Sequence, residues 1–362
     1  MSWFSNLWNG IIGIFGGGPG APTPPVNPVP PVSPPVTPPV PTPAAAKKFI
    51  GGCVAMESMS YEEHTQMAGA ITLAQFQATR GFNGSTINVG WDDLHKAEGV
   101  FDFSMIDAGL SVAAAFKCPV EIRIGAGQHV PGFVKNACGP FQVPAQHGPE
   151  TLTFCNFWSG GYYRAQLQAL QAALAAKYDS NPLVRVIWCM TGSCWSDEIM
   201  NTGDAPPSRS LLAAQGATDA LLQANVLNLF ADMAAWKNTP IGITVEAMFS
   251  VDDPTAAANT AFPLQVAALA IATYGRSKCV LANMAVGPNY SGPMAPNAAV
   301  AKQLPGLGAY TACQPNHWGA DVSAQAAYAA SLGYNEFQVP TPAKPSAADL
   351  AAWNATFPVW NG

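Results

Sequence analysis

From residue 47 onward, short apolar segments alternate with longer alanine-rich segments, and this alternation limits the folds open to the chain. Strands that alternate with helices at this spacing form a parallel sheet. Eight such units in about 310 residues predict a (β/α)8 barrel over residues 47–362. The predicted strands are 49–56, 86–89, 120–124, 184–190, 241–247, 279–284, 309–313 and 334–339.

Segments with helical character separate these strands. They are 61–79, 104–116, 162–178, 208–236, 263–274, 295–303 and 323–332, with 346–353 last. A doubly wound open sheet is the alternative fold, and it usually carries a glycine-rich phosphate loop after its first strand. Here Gly51 and Gly52 precede the end of the first strand and do not open a helix. The barrel is therefore the predicted fold class.

The first 46 residues contain no charged side chain and divide into two unlike pieces. Residues 1–18 place apolar side chains on one stripe of helical period, which predicts a short amphipathic anchor helix. The stripe consists of Trp3, Phe4, Leu7, Trp8, Ile11, Ile12 and Phe15. Docking into a groove of a protein partner is the favoured role. A membrane surface is less favoured because the polar face lacks lysine and arginine. The absence of a positive start and of a small-residue cleavage site argues against a cleavable signal peptide.

Residues 19–46 form a proline-rich linker in which Pro-Pro-Val occurs four times between positions 24 and 40. Such a run favours polyproline II, which would let the linker reach roughly 75 Å when extended. An anchor helix on a stiff spacer predicts a barrel displayed from a larger assembly, for instance a virus particle. The expected location is therefore virion-associated or at a cell surface.

Composition excludes some function classes. The formal charge of −6 and only 16 Lys and Arg residues argue against a nucleic-acid surface, which needs a basic patch. No paired CxxC units and no HExxH motif occur, so the sequence predicts no metal and no cofactor. The eight cysteines fit either redox compartment. Cys138 with Cys155, and Cys189 with Cys194, are spaced so that each pair could form a disulfide.

Polar and aromatic side chains recur where the predicted strands end. In a barrel of this kind, chemistry takes place at the C-terminal ends of the strands. Aromatic faces suit the C–H surfaces of sugars, and carboxylates and amides suit their hydroxyl groups. The sequence thus predicts a glycan or polysaccharide as the ligand. The candidate binding residues are Trp91, Arg123, His129, Trp195, Asn283, Gln314, Asn316, His317, Trp318 and Gln338.

Two stretches resemble barrel glycoside hydrolases of the β-galactosidase and cellulase-like superfamily. Residues 91–103 read WDDLHKAEGVFDF and are followed by Ile106-Asp107, which is similar to the pattern after the second strand of those enzymes. Residues 120–124, VEIRI, with Gly127 and the segment 130–133, VPGF, are similar to their third strand and its turn. The resemblance covers about 45 residues and implies hydrolysis of glycosidic bonds.

The resemblance also implies an acid/base Glu after strand four, usually preceded by Asn, and a nucleophilic Glu ending strand seven. This chain departs from both patterns, because Glu198 comes several residues after strand four and strand seven ends in Gln314, Asn316 and His317. The candidate catalytic residues are Glu198, Glu246 and Glu336, and hydrolysis requires two of them within about 10 Å.

Other interpretations of these residues remain open. Glu121 and Arg123 share one face of their strand, so an interior ion pair is their favoured role. Asp92 and Asp93 are expected to order their loop. At the level of the whole chain, a non-catalytic sugar-binding or virion decoration protein is the main alternative. A barrel of other chemistry, such as a lyase or a metal-assisted hydrolase, is the third hypothesis.

Overall fold

Eight parallel strands close into a barrel in this computed structural model. Each strand pairs with its neighbours in sequence, and the last strand pairs with the first. The barrel strands are β1 (Gly52–Met56), β2 (Gly84–Gly90), β3 (Val120–Gly125), β4 (Val184–Trp188), β5 (Ile241–Thr244), β6 (Cys279–Val286), β7 (Tyr310–Pro315) and β8 (Glu336–Pro340). The predicted (β/α)8 barrel is confirmed.

The structure describes residues 47–56, 81–144, 151–158, 160–189, 206–288, 295–315, 322–340 and 345–358. The predicted anchor helix and linker, residues 1–46, lie outside these ranges, as does the predicted helix 61–79. Within the ranges, no helix has the length and apolar character needed to cross a membrane. The same residues contain no group of His, Cys, Asp and Glu able to hold a metal ion.

Helices surround the strands close to the predicted positions. Their bounds are Trp91–Leu94, Ser104–Phe116, Gly132–Cys138, Gly161–Tyr178, Pro206–Ala214, Asp219–Leu227, Leu229–Asp232, Ala261–Tyr274, Ala295–Ala301, Val322–Leu332 and Ala347–Thr356. The single helix predicted for 208–236 is wrong. Gly216, at φ +85°, breaks the chain there, and the Thr218 hydroxyl caps the next helix by accepting from Leu221 N at 3.2 Å.

Two antiparallel hairpins interrupt the alternation after β2 and β3, and the sequence analysis did not predict them. The first pairs His95–Ala97 with Val100–Phe101, and the second pairs Pro140–Pro144 with Thr151–Cys155. Both follow the C-terminal end of a barrel strand. They therefore belong to the end of the barrel where function is expected.

Strand alternation separates two apolar layers. Outward-facing residues pack against the helices, whereas a separate cluster fills the barrel interior. That cluster contains Val186, Trp188, Val280, Ala282, Met284, Tyr310 and Ala312. Phe49 stacks on Tyr310 with ring centroids 4.2 Å apart at the start of β7. Gly242 makes room for the Trp188 indole, since a Cβ at 242 would lie 2.6 Å from that ring.

Candidate functional site

A hydrogen-bonded polar network joins β3 to β8 inside the barrel. Glu336 and Gln338 are two residues apart on β8, so their side chains face the same interior. Gln338 Nε2 donates to Glu121 Oε2 at 2.8 Å and to Glu336 Oε1 at 3.1 Å. Trp188 Nε1 donates to Glu121 Oε2 at 3.0 Å, and the Tyr310 hydroxyl donates to Glu336 Oε2 at 2.9 Å. Glu121 and Glu336, which the sequence analysis assigned to separate roles, are thus brought together.

Arg123 connects this network to the C-terminal mouth. Its guanidinium lies 4.4 Å from the centre of the Trp188 ring and donates from Nη2 to Gln338 Oε1 at 2.5 Å. With its carbonyl oxygen facing Arg123, Gln314 accepts from Nη1 at 2.5 Å. The same Nη2 lies 3.5 Å from Met284 Sδ. A bidentate donor is therefore held in place by the amides of β7 and β8.

Burial sets the protonation of the two carboxyl groups. It is the largest cause that raises the pKa of Glu121 well above its usual value, and the neighbouring Glu336 raises that pKa further. Burial also raises the pKa of Glu336, although hydrogen bonds from Tyr310 and Gln338 oppose the shift. Two carboxylates in direct contact in a low dielectric do not both ionise. Burial and mutual repulsion therefore favour a form in which the pair keeps one proton.

The geometry agrees with a shared proton. Glu121 Oε1 is buried and accepts from no hydrogen-bond donor among the residues that the structure describes. A proton held between Glu121 and Glu336 supplies the missing donor. Arg123 favours the ionised form of Glu121, which agrees with the predicted interior pairing of these residues, although the hydrogen bonds of Arg123 described above go to neutral partners.

Glu246 lies at the mouth, just beyond the end of β5. It is 5% exposed, and its Oε1 accepts from the backbone N–H of Met284 at 3.1 Å. Met284 also contacts Arg123, so the carboxylate and the guanidinium approach the same residue of β6 from two sides. Of the three predicted catalytic glutamates, Glu246 has the position at a strand end that the sequence analysis expected.

Glu336 is placed differently from the expectation. The sequence analysis named it as a candidate catalytic residue at a strand end, but it is the first residue of β8 and is completely buried. Gln338, two residues further along the strand, lies between it and the mouth, and both Glu336 oxygens accept hydrogen bonds. Its depth was not predicted because the length of a strand cannot be read from residue type.

Two predicted binding residues are buried in the fold. Trp91 is completely buried, donates from Nε1 to His95 Nδ1 at 3.2 Å, and packs edge-on against Tyr163. Asn283 is also completely buried and donates from Nδ2 to the Val245 carbonyl at 2.8 Å. Neither side chain offers a surface to a sugar in this structure, so the expectation of direct contact is corrected for both. Trp91 holds the hairpin after β2 through His95, and Asn283 links β6 to the residue that follows β5.

His129 lies at the rim between β2 and β3. Its Nδ1 is 3.8 Å from Asp92 Oδ1, and its Nε2 is 3.0 Å from the Gln128 amide nitrogen. The half-exposed Asp92 carboxylate beside it offers a polar contact to a ligand. Asp93 accepts from the backbone N–H of Gly90 at 3.1 Å, which supports the expected role in ordering this loop.

The remaining predicted site residues lie outside the described part of the chain. They are Glu198, Trp195, Asn316, His317 and Trp318, in segments that follow β4 and β7. Within the described part, the structure brings together Arg123, Gln314 and Gln338, with Glu246 close by through Met284. The sequence analysis did not assign Trp188, Tyr310 and Met284 to a site, because apolar and aromatic residues in strands usually form core.

Comparison with solved structures shows which proteins have a similar fold. The catalytic domain of β-amylase from Paenibacillus polymyxa matches with a TM-score of 0.56 and 11% identity over 86% of this chain and 98% of that one. The exo-β-1,4-mannosidase Op5Man5 from Opitutaceae bacterium strain TAV5 matches with a TM-score of 0.50 and 13% identity. That match covers 84% of this chain and 59% of the mannosidase. No protein-family model and no curated sequence matched. The chain therefore has a barrel fold like that of glycoside hydrolases.

Proposed function

We propose that this barrel is a glycoside hydrolase-like module that cleaves or binds a polysaccharide or glycan of a cell surface. The observation that carries the proposal is the mouth itself, where Glu246 and an arginine held by two glutamines both contact Met284. Carboxylates, amides and a fixed guanidinium are the groups that bind sugar hydroxyls.

Hydrolysis of a glycosidic bond needs one carboxyl group to protonate the leaving oxygen and another to attack or to activate water. Glu246 supplies one of them. We assign the second to Glu198, in the segment that follows β4. Because β4 and β5 are neighbours in the barrel, their C-terminal ends are about 5 Å apart.

Glu336 has a supporting role in this proposal. It lies below Gln338 and shares a proton with Glu121, so it holds Gln338 and, through it, Arg123. A sugar at the mouth then meets Arg123 and Gln314 from below and His129 from the β2–β3 side, whereas Gln338, a predicted binding residue, is completely buried and acts by holding Arg123. Trp195, Asn316, His317 and Trp318 stay predicted contacts.

A glycan array probed with the full chain tests the proposal, with product release assayed for every glycan that binds. The variants are Glu246→Gln and Glu198→Gln. Glu98→Gln is the matched control, since Glu98 is exposed and contacts Tyr162 and Gln166 outside the barrel. We expect release by the wild type and the control, and loss of release in both mouth variants. Absence of both binding and release would contradict the proposal.

A non-catalytic carbohydrate-binding or virion decoration protein is the second candidate. It is favoured by Gln314, an amide at the end of β7, where the enzymes that the sequence resembles have a catalytic carboxylate. This candidate predicts binding without release that is equal in the wild type, Glu198→Gln and Glu246→Gln. Weakened binding in Gln314→Ala would place the glycan at the same mouth.

The proposal includes the N-terminal segment. Residues 1–18 dock the chain to a protein of a larger assembly such as a virion, and residues 19–46 hold the barrel away from it. A membrane surface is the less favoured partner. Deletion of residues 1–18 should leave a folded barrel that no longer joins the assembly, whereas unchanged assembly would refute the anchor.

A further inference from the structure

Two cysteines meet at the excursion that follows β3. The chain leaves β3 through a turn, Gly127–His129, a helix, Gly132–Cys138, and the hairpin of Pro140–Pro144 with Thr151–Cys155. Cys138 ends the helix and Cys155 ends the hairpin. Because Cys155 pairs with Pro140, two residues after Cys138, the fold returns the chain to the point where the helix ended.

The two thiols lie close enough for each to shift the pKa of the other. Cys155 belongs to the main apolar cluster, and Cys138 packs against that cluster. Cys155 is 1% exposed, whereas Cys138 is partly exposed. Both are reduced in the structure. An oxidant therefore reaches Cys138 first and finds Cys155 directly behind it.

Two neighbouring groups favour the ionised, thiolate form of these cysteines. The backbone N–H of Tyr163, in the first turn of helix Gly161–Tyr178, favours the thiolate of Cys138. The Lys135 ammonium does the same for Cys155. Burial outweighs both effects: it raises the pKa of Cys138 above its usual value and raises the pKa of Cys155 to about 12. The pair is therefore suited to a stable structural bond and not to rapid redox cycling.

We propose that Cys138 and Cys155 form a disulfide when the protein meets a thiol oxidant of the glutathione-disulfide class. The Cys138 thiolate attacks one sulfur of oxidised glutathione, forming a mixed disulfide and releasing one glutathione thiolate. The Cys155 thiolate then attacks the Cys138 sulfur and displaces the second glutathione. Two protein thiols are oxidised to one disulfide, one glutathione disulfide is reduced to two thiols, and the two protons pass to the released thiolates.

The bond would fix the rim beside His129. The strand Thr151–Cys155 packs against the turn Gly127–His129, and the helix Gly132–Cys138 packs against the same strand. Joining the helix end to the strand end ties these three elements together. It also closes a segment that contains residues 145–150, which lie outside the described ranges.

Peptide mapping tests the proposal directly. Residues 136–164 form one tryptic peptide that contains both cysteines, and cleavage after Glu150 separates it into two halves. The folded full chain is treated with oxidised glutathione, denatured, alkylated and cleaved at both sites. We expect the halves 136–150 and 151–164 to remain joined until reduction. Alkylation of both cysteines, or glutathione left on Cys138 without a bond to Cys155, would overturn the proposal.

Two variants and one control sharpen the test. Cys138→Ser and Cys155→Ser should each abolish the joined peptide, whereas Cys118→Ser should leave it unchanged, since the Cys118 thiol donates to the Pro119 carbonyl elsewhere. Oxidation should also raise the melting temperature of the wild type by about 5 °C and leave that of Cys138→Ser unchanged. An equal rise in both proteins would contradict the assignment. The wild-type map decides the question even if a variant fails to fold.

Discussion

Replacing Glu121 by glutamine should remove the shared proton of the barrel interior while keeping its hydrogen bonds. In the wild type, Glu121 Oε2 accepts from Trp188 and Gln338, and Oε1 faces the proton shared with Glu336. A glutamine keeps an oxygen for Trp188 and Gln338, and its amide donates toward Glu336 at every pH. Glu336 can then ionise with Tyr310, Gln338 and the new amide as donors, beside Arg123.

The magnitude follows from proton linkage. The pKa of Glu121 is raised well above the ordinary value of 4.5 in the folded protein, chiefly by burial, whereas the unfolded chain ionises near that value. Above it, the folded state holds a proton that the unfolded state has released, so the free energy of unfolding falls as pH rises. One proton corresponds to at most about 1.4 kcal/mol per pH unit, between the unfolded-state and the folded-state pKa.

Urea unfolding at about pH 5, 6, 7 and 8, followed by tryptophan fluorescence, measures this difference. The stability of Glu121→Gln minus that of the wild type should increase with pH, by at most about 1.4 kcal/mol per pH unit, until the folded-state pKa of Glu121 is passed. Subtraction removes the contribution of groups that titrate in both proteins. Glu98→Gln should run parallel to the wild type. A difference that does not change with pH would refute the shared proton.

Three further changes test other parts of the fold. His95 is buried against Phe101 and Phe133, and burial lowers its pKa below 6.5. Below about pH 6.5 the unfolded chain therefore binds a proton at His95 more readily than the folded protein does, so the free energy of unfolding falls as pH drops. In urea titrations, His95→Gln should show a smaller fall than the wild type. Gly242→Ala should destabilise the barrel by about 1–3 kcal/mol in urea at neutral pH, because its Cβ meets the Trp188 ring at 2.6 Å. Asp179→Ala should lower the melting temperature by roughly 5–10 °C, since Asp179 accepts from the backbone N–H groups of residues 237, 238 and 239; no change in any of these measurements would contradict its premise.

The barrel could be predicted because its signal is spread over the whole chain. All eight strands lie at predicted positions, since runs such as 120–124 and 279–284 are apolar, short and followed by helical segments. The break at Gly216 and the two hairpins were missed. Both features depend on the residues that form turns, and the spacing of apolar residues along a helix or strand gives no information about turns.

The site could be predicted only in part. Arg123, Gln314 and Gln338 were identified from their residue type at strand ends, and they do meet. Glu121 and Glu336 were assigned separate roles because their contact depends on how far along each strand they lie and on the closure of β8 onto β1. Trp91 was misassigned because a tryptophan that binds sugar and one that packs in a core have the same sequence signal.

The measurement that most directly tests the central claim is the rate of product release from a bound glycan by the wild type, Glu246→Gln and Glu98→Gln. Loss of a catalytic carboxyl group removes its proton-transfer or nucleophilic contribution, so release by Glu246→Gln should fall by about 10²–10⁴-fold with binding retained. Glu98→Gln should match the wild type. Release by Glu246→Gln at the wild-type rate would show that the mouth between β5 and β6 is not where the glycan is cleaved.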